Sequence, residues 1–155
     1  MAGAVEQRLK QLGVEIPTPA VPVANYVGFV KTGNLVFVSG QVTMQGGKPQ
    51  FIGKLGREIS VEQGQEAAKL CAINIVAQLK AACEGDLDRV ERIVKLAGFV
   101  NSAPDFTDQP KVINGASDFM VAVFGDKGRH ARAAVSAGSL PLGVAVEIDC
   151  VAEIR

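Results

Sequence analysis

From Val144 to Ile154 the chain alternates strictly. Val144, Val146, Ile148, Cys150, Ala152 and Ile154 fall on one side, and Glu147, Asp149 and Glu153 on the other. Successive side chains of a β-strand point to opposite faces, so this is a strand with one face buried and one face polar. Such a strand cannot stand alone: its apolar face needs a covering layer and its edges need hydrogen-bonding neighbours. Arg132–Ala137 reads as a second strand, and the Leu140-Pro-Leu-Gly143 stretch between them reads as a turn. The two are therefore expected to form a hairpin with Arg132 one strand over from Glu147. Val151 shares the polar face, and a face that mixes charge with apolar groups is often an oligomer interface or a cleft wall.

The covering layer is legible upstream. Ser60-Val-Glu-Gln63 is a capping-box pattern that opens a helix. Ala68, Cys71, Ala72, Ile75, Leu79 and Ala82 then recur at three- and four-residue steps, giving a core-facing stripe up to about Ala82. Pro110 suits the first turn of a second helix, with Val112, Ala116, Phe119 and Val123 as its stripe and Gly125 as its C-terminal cap. Two apolar runs, Val27–Lys31 and Leu35–Ser39, flank Thr32-Gly33-Asn34 as a hairpin, and Arg92–Val100 reads as a further strand. The glycine-rich residues 42–57 predict a mobile loop with a short strand near Pro49–Ile52. Residues 2–12 predict a short helix, and Ile16-Pro-Thr-Pro-Ala-Val-Pro22 an extended arm. The order ββ-α-β-α-ββ describes an α+β fold of two layers, two helices on one face of a mixed sheet. It makes one domain over residues 1–155, with 1–23 as its helix and proline-rich arm.

Bulk properties narrow the function classes. Lys plus Arg and Asp plus Glu are each 16, so the net charge is zero. Nucleic-acid binders normally carry a basic excess, and no nucleic acid is expected as a partner. No apolar run approaches the roughly 20 residues that span a bilayer, and the first residues lack the basic start and apolar core of a secretory signal. Cys71, Cys83 and Cys150 are odd in number and widely spaced, which suits free thiols and a cytoplasmic location. One histidine and no CxxC pair argue against a metal site, and the glycine-rich stretch lacks a phosphate-loop pattern.

Few residues look equipped for chemistry. Arg132, presented from a strand, offers a planar two-pronged receptor for a carboxylate. Glu147 can position a water or relay a proton, whereas Asp149 and Glu153 read as pairing partners. Asn114 sits mid-helix, where asparagine has poor propensity, which hints at a side-chain role. Ser39 and Gly40 suit either a cleft wall or a bend in a strand, and Tyr26 a cleft or simple packing. His130, beside Arg129, reads as a solvated loop residue.

The Val-Ser-Gly-Gln41 hairpin end, the Asn114 helix, Ala-Arg-x-x-Val at 131–135 and the following Leu-Pro…Val-Glu-Ile-Asp resemble the RidA/YjgF family, also called endoribonuclease L-PSP or chorismate mutase-like. The resemblance covers roughly residues 24–154 and has the look of a divergent subgroup. It implies a homotrimer with clefts at subunit boundaries and hydrolysis of 2-iminoacids or their enamines to 2-ketoacids and ammonia. It implies no metal or cofactor. It places the carboxylate-binding arginine on Arg132 and the cleft glutamate on Glu147. Tyr26, Gly40 and Asn114 fall on a cleft tyrosine, a backbone-contributing glycine and a helix asparagine, and Ser39 lies beside Gly40. Ala134 stands where the family often has a cysteine, which removes any thiol mechanism. Two other functions stay open: a module that binds a small carboxylate without turnover, and the endoribonuclease of the family's name.

Overall fold

A computed structural model describes residues 3–155. Its main elements are α1 (Ala4–Gln11), β1 (Phe29–Thr32), β2 (Leu35–Val42), β3 (Met44–Gln45), β4 (Lys48–Pro49), α2 (Val61–Ala82), β5 (Val90–Asn101), α3 (Gln109–Phe124), β6 (Ala131–Ala137) and β7 (Val146–Ile154). The expected α+β order is present, and of the helix expected over 2–12 only Ala2 lies outside the described residues. Ser60 Oγ accepts from the Gln63 backbone N–H at 3.1 Å while Gln63 Oε1 accepts from the Ser60 N–H at 2.9 Å, so α2 opens on the capping box. At its far end the chain turns away through Glu84 and Gly85, both at positive φ. The glycine-rich stretch forms a two-residue ladder, β3 against β4, in place of a strand over Pro49–Ile52.

The five-stranded sheet runs β1-β2-β7-β5-β6. β7, the alternating strand, lies at its centre, antiparallel to both β2 and β5. The expected hairpin of the last two strands does not form. β6 is parallel to β5 and sits on its outer edge, so β5 lies between β6 and β7. The cause is α3: a helical crossover returns the chain beside the strand it left and in the same direction, and a tight turn cannot make that connection. Residues 138–145 therefore carry the chain past the end of β5, where the Asn101 N–H donates to the Ala145 carbonyl at 2.9 Å.

One face of the sheet is covered. Val146, Ile148, Cys150, Ala152 and Ile154 are buried against the stripes read from the sequence, with Ala68, Cys71, Ala72, Ile75, Leu79 and Ala82 of α2 and Val112, Ala116, Phe119 and Val123 of α3 all buried. The two helices cross closely because residue 115 is glycine: a Cβ there would stand 2.1 Å from the Gln65 carbonyl oxygen. Val5 and Leu9 of α1 complete this core. The opposite face is bare within one chain. Val30, Phe37 and Val135 are each about half exposed. In register between them stand Val151, Ala97 and Phe99, together with Asp149 and Glu147.

Candidate functional site

β2 does not pair evenly with β7. Val38 aligns with Cys150 and Gln41 with Ile148, so Ser39 and Gly40 oppose a single residue and form a β-bulge. The bend expected of this pair is therefore present. Its glycine matters for space: a Cβ on Gly40 would lie 2.7 Å from Glu147 Oε2, so the carboxylate occupies the room a side chain would take. Ser39 is engaged with the segment just before β1, its hydroxyl donating to the Val27 carbonyl at 2.6 Å and its N–H to that of Gly28 at 2.9 Å. Beside the bulge the arm roofs a cleft of about 510 Å³ between β2 and α2, lined among others by Tyr26, Ser39, Gly40, Ile73, Asn74 and Gln78. Burial pushes the Glu147 carboxyl above its ordinary value, and the neighbouring Asp149 charge adds to this. Asp149 is likewise pushed up by burial, with Lys95 opposing. Both face the bare side of the sheet.

Arg132 is built differently. It aligns with Leu96, a buried core residue, so its side chain leaves β6 on the helix-covered face and reaches α3. Nη1 donates to Asn114 Oδ1 at 2.8 Å and to Ser117 Oγ at 3.2 Å, and Nη2 to the Pro110 carbonyl at 3.4 Å. Asn114 and Ser117 are three residues apart on α3 and so share one helix face. Every partner is a neutral oxygen, and among the described residues Arg132 joins no salt bridge. A guanidinium has five N–H donors in a fixed fork, so two remain for a ligand.

The structure thus divides the expected residues into two sets. Gly40 and Glu147 meet, with Tyr26 and Ser39 at the adjoining cleft; Arg132 and Asn114 meet at the other edge. β7 and β5 intervene between β2 and β6, a span of roughly 15 Å at about 4.8 Å per strand. Glu147 aligns with Phe99 and Arg132 with Leu96, and this odd offset along β5 places the two side chains on opposite faces. Ser117 and His130 join the Arg132 set. The reading of His130 as a solvated loop residue is corrected, since its Nε2 lies 2.9 Å from Ser117 Oγ. The spacing of Asn114 and Ser117 on one helix face was the signal that could have found the serine.

The three thiols are buried, and burial pushes Cys150 up to about 12 and Cys71 higher still, so neither supplies a thiolate. No cluster of three or more metal-ligating side chains occurs among the described residues. No helix among them is long and apolar enough to cross a membrane.

The family model "YjgF/chorismate_mutase-like, putative endoribonuclease" matches residues 6–154. The chain belongs to this family. Family membership agrees with the resemblance read from residues 24–154 and extends it through most of α1 and the arm. Protein TCP17 of Trypanosoma cruzi is 47% identical over 155 residues, covering 99% of this chain and 96% of its own. The crystal structure of Atu1372, a protein of unknown function from Agrobacterium tumefaciens, has 51% identity and a TM-score of 0.92 over 97% of this chain and 92% of its own. The crystal structure of a "putative endoribonuclease" from Shewanella oneidensis MR-1 has 34% identity and a TM-score of 0.94 over 98% of this chain and all of its own. This member of the family keeps the YjgF/chorismate mutase-like fold.

Proposed function

We propose that this protein is an imine/enamine deaminase that hydrolyses 2-iminoacids to 2-ketoacids and ammonia as a cytoplasmic homotrimer. The observation that carries the reading is Arg132: a cation held in place by Asn114, Ser117 and Pro110 through neutral oxygens, with two donors left over. A fork held open in this way suits a carboxylate, which neutralises the charge and accepts both bonds.

The homotrimer is supported by two features. The bare sheet face carries Val30, Phe37 and Val135, a patch that a monomer would leave in water. The two half-sites also stand at opposite sides of one sheet, so a second chain is needed to bring Arg132 of one to Tyr26, Gly40 and Glu147 of another. In such a cleft Arg132 holds the substrate carboxylate and the backbone near Gly40 lines the reacting carbon. Glu147 positions water on an imine carbon that is already electrophilic. Orientation of that kind supplies much of a modest acceleration. No metal or cofactor is called for.

A second reading has an observation of its own. Ala134 leaves the site without a thiol, and a cleft that only binds a small carboxylate needs Arg132 but no water-positioning group. Endoribonuclease activity draws less support: the net charge is zero and there is one histidine, where RNA cleavage wants phosphate contacts and an acid–base pair. The deciding experiment generates iminoacids in situ from several amino acids and follows ketoacid release with and without the protein. Faster release supports the deaminase. Unchanged release with measurable ketoacid binding leaves the binding module.

A further inference from the structure

His130 precedes β6 with Nδ1 2.6 Å from the Gly128 carbonyl and Nε2 2.9 Å from Ser117 Oγ. A carbonyl only accepts, so Nδ1 carries the proton of the neutral ring and Nε2 is an acceptor. Ser117 therefore gives its hydroxyl proton to Nε2 and turns a lone pair to Arg132 Nη1, 3.2 Å away. With the ring neutral, the result is one chain of donations from guanidinium to hydroxyl to imidazole to carbonyl. The imidazole is oriented by its second nitrogen, as a general base must be. Glu147 cannot play this part for Arg132 of its own chain, because it leaves β7 on the other face.

We propose that Ser117 and His130 form the proton relay of the Arg132 site, His130 being the base that accepts and returns the proton of hydrolysis. The proposal rests on the reading of Arg132 as the carboxylate receptor. Water attacks C2 of the iminium acid, and the C=N π pair moves to nitrogen. The water proton passes to Ser117 Oγ as the hydroxyl proton of Ser117 passes to Nε2, leaving imidazolium and a neutral carbinolamine. The proton then returns through Ser117 to the amino nitrogen. The C–N bond breaks with its electron pair on nitrogen, the hydroxyl O–H closes to the ketone, and its proton leaves with ammonia as ammonium. Water and iminium acid become ketoacid and ammonium, and the relay is restored.

Other charged groups lie on the elements around His130. Asp118 follows Ser117 on α3, and Lys95 of β5 aligns with Ala131. The turn before β6 carries Asp126, Lys127 and Arg129, with Asp126 and Arg129 paired at 3.4 Å. None of these is interposed between Nε2 and Ser117.

The test measures kcat for in situ iminoacids over about pH 5–9, together with calorimetric binding of pyruvate as the ketoacid probe. His130→Asn keeps an N–H for the Gly128 carbonyl but has no basic nitrogen. It is expected to lower kcat at least about tenfold and to abolish the fall of kcat towards acid pH, with pyruvate affinity within about twofold of wild type. Ser117→Ala should lose rate similarly, and Ser117→Thr, which retains a hydroxyl, should restore it to within about threefold. A His130→Asn enzyme with wild-type rate and acid limb overturns the relay alone. Wild-type protein that binds pyruvate but hydrolyses nothing also overturns the relay and leaves the receptor. Wild-type protein that does neither overturns the Arg132 reading, and the relay with it.

Discussion

Truncation of Arg132 separates ligand binding from folding, and the structure sets the size of both effects. Three donors already face Asn114, Ser117 and Pro110, so a carboxylate takes the remaining two. Charge-assisted hydrogen bonds contribute about 1.5–3 kcal/mol each. At a partly exposed site the lower end applies, and the pair comes to about 3 kcal/mol, or roughly 150-fold in Kd. Folding loses less. The bonds at 2.8 and 3.2 Å go to neutral oxygens that water can re-solvate, about 1–2 kcal/mol together, which lowers Tm by several degrees in a domain of this size. Arg132→Ala is therefore expected to weaken pyruvate binding by two orders of magnitude while the protein stays folded and assembled. Arg132→Lys should lose most of the affinity too, since one ammonium cannot reach Asn114 and also fork a carboxylate. Isothermal calorimetry and a thermal melt read the two quantities. An alanine variant that binds pyruvate within about threefold of wild type would refute the receptor.

The remaining predictions concern assembly, Glu147 and metals. Sedimentation equilibrium should return about three times the 16.2 kDa of one chain, and a clean monomer at micromolar concentration would remove the intersubunit cleft. Glu147→Gln should keep ketoacid binding and slow hydrolysis at least about tenfold, whereas a wall residue would leave the rate unchanged. The same variant carries a stability signature. With the Glu147 and Asp149 carboxyls pushed up in the fold, the folded chain holds protons that the unfolded chain releases, so stability falls as pH rises from the ordinary carboxylate range through the raised values. Glu147→Gln should flatten that fall in denaturant midpoints, and an unchanged slope would contradict the desolvated setting. Strong chelators should leave activity intact, and loss on EDTA restored by a divalent ion would contradict the metal-free chemistry.

The layers were legible because each rests on a local pattern. Ser60 and Gln63 lie three residues apart, so the α2 start is written in four residues, and the alternation of β7 records its own burial. What local pattern could not carry was strand order. Leu140-Pro-Leu-Gly143 has the composition of a hairpin turn, and turn chemistry says nothing about which edge of β5 is free. That edge is decided by the α3 crossover, a contact made across some thirty residues. A turn-like string between two strand-like strings is compatible with adjacency and with a crossing past one intervening strand. Only the whole sheet separates them.

The same displaced strand reorganises the candidate site. In a hairpin Arg132 and Glu147 would face each other as near neighbours, and one chain would hold receptor and carboxylate together. With β5 interposed and the parity of the register odd, they stand two strands apart on opposite faces. A reaction that needs both must therefore take them from different chains, and the bare face with Phe37 and Val135 is where a second chain would meet the first. Within one chain, Arg132 instead finds Ser117 and His130. In sequence the neighbours of His130 are Arg129 and a turn, which point to solvent. Its partner in space is a serine thirteen residues away on the crossover helix. The element that defeats the hairpin reading thus supplies the hydroxyl that links the histidine to the arginine.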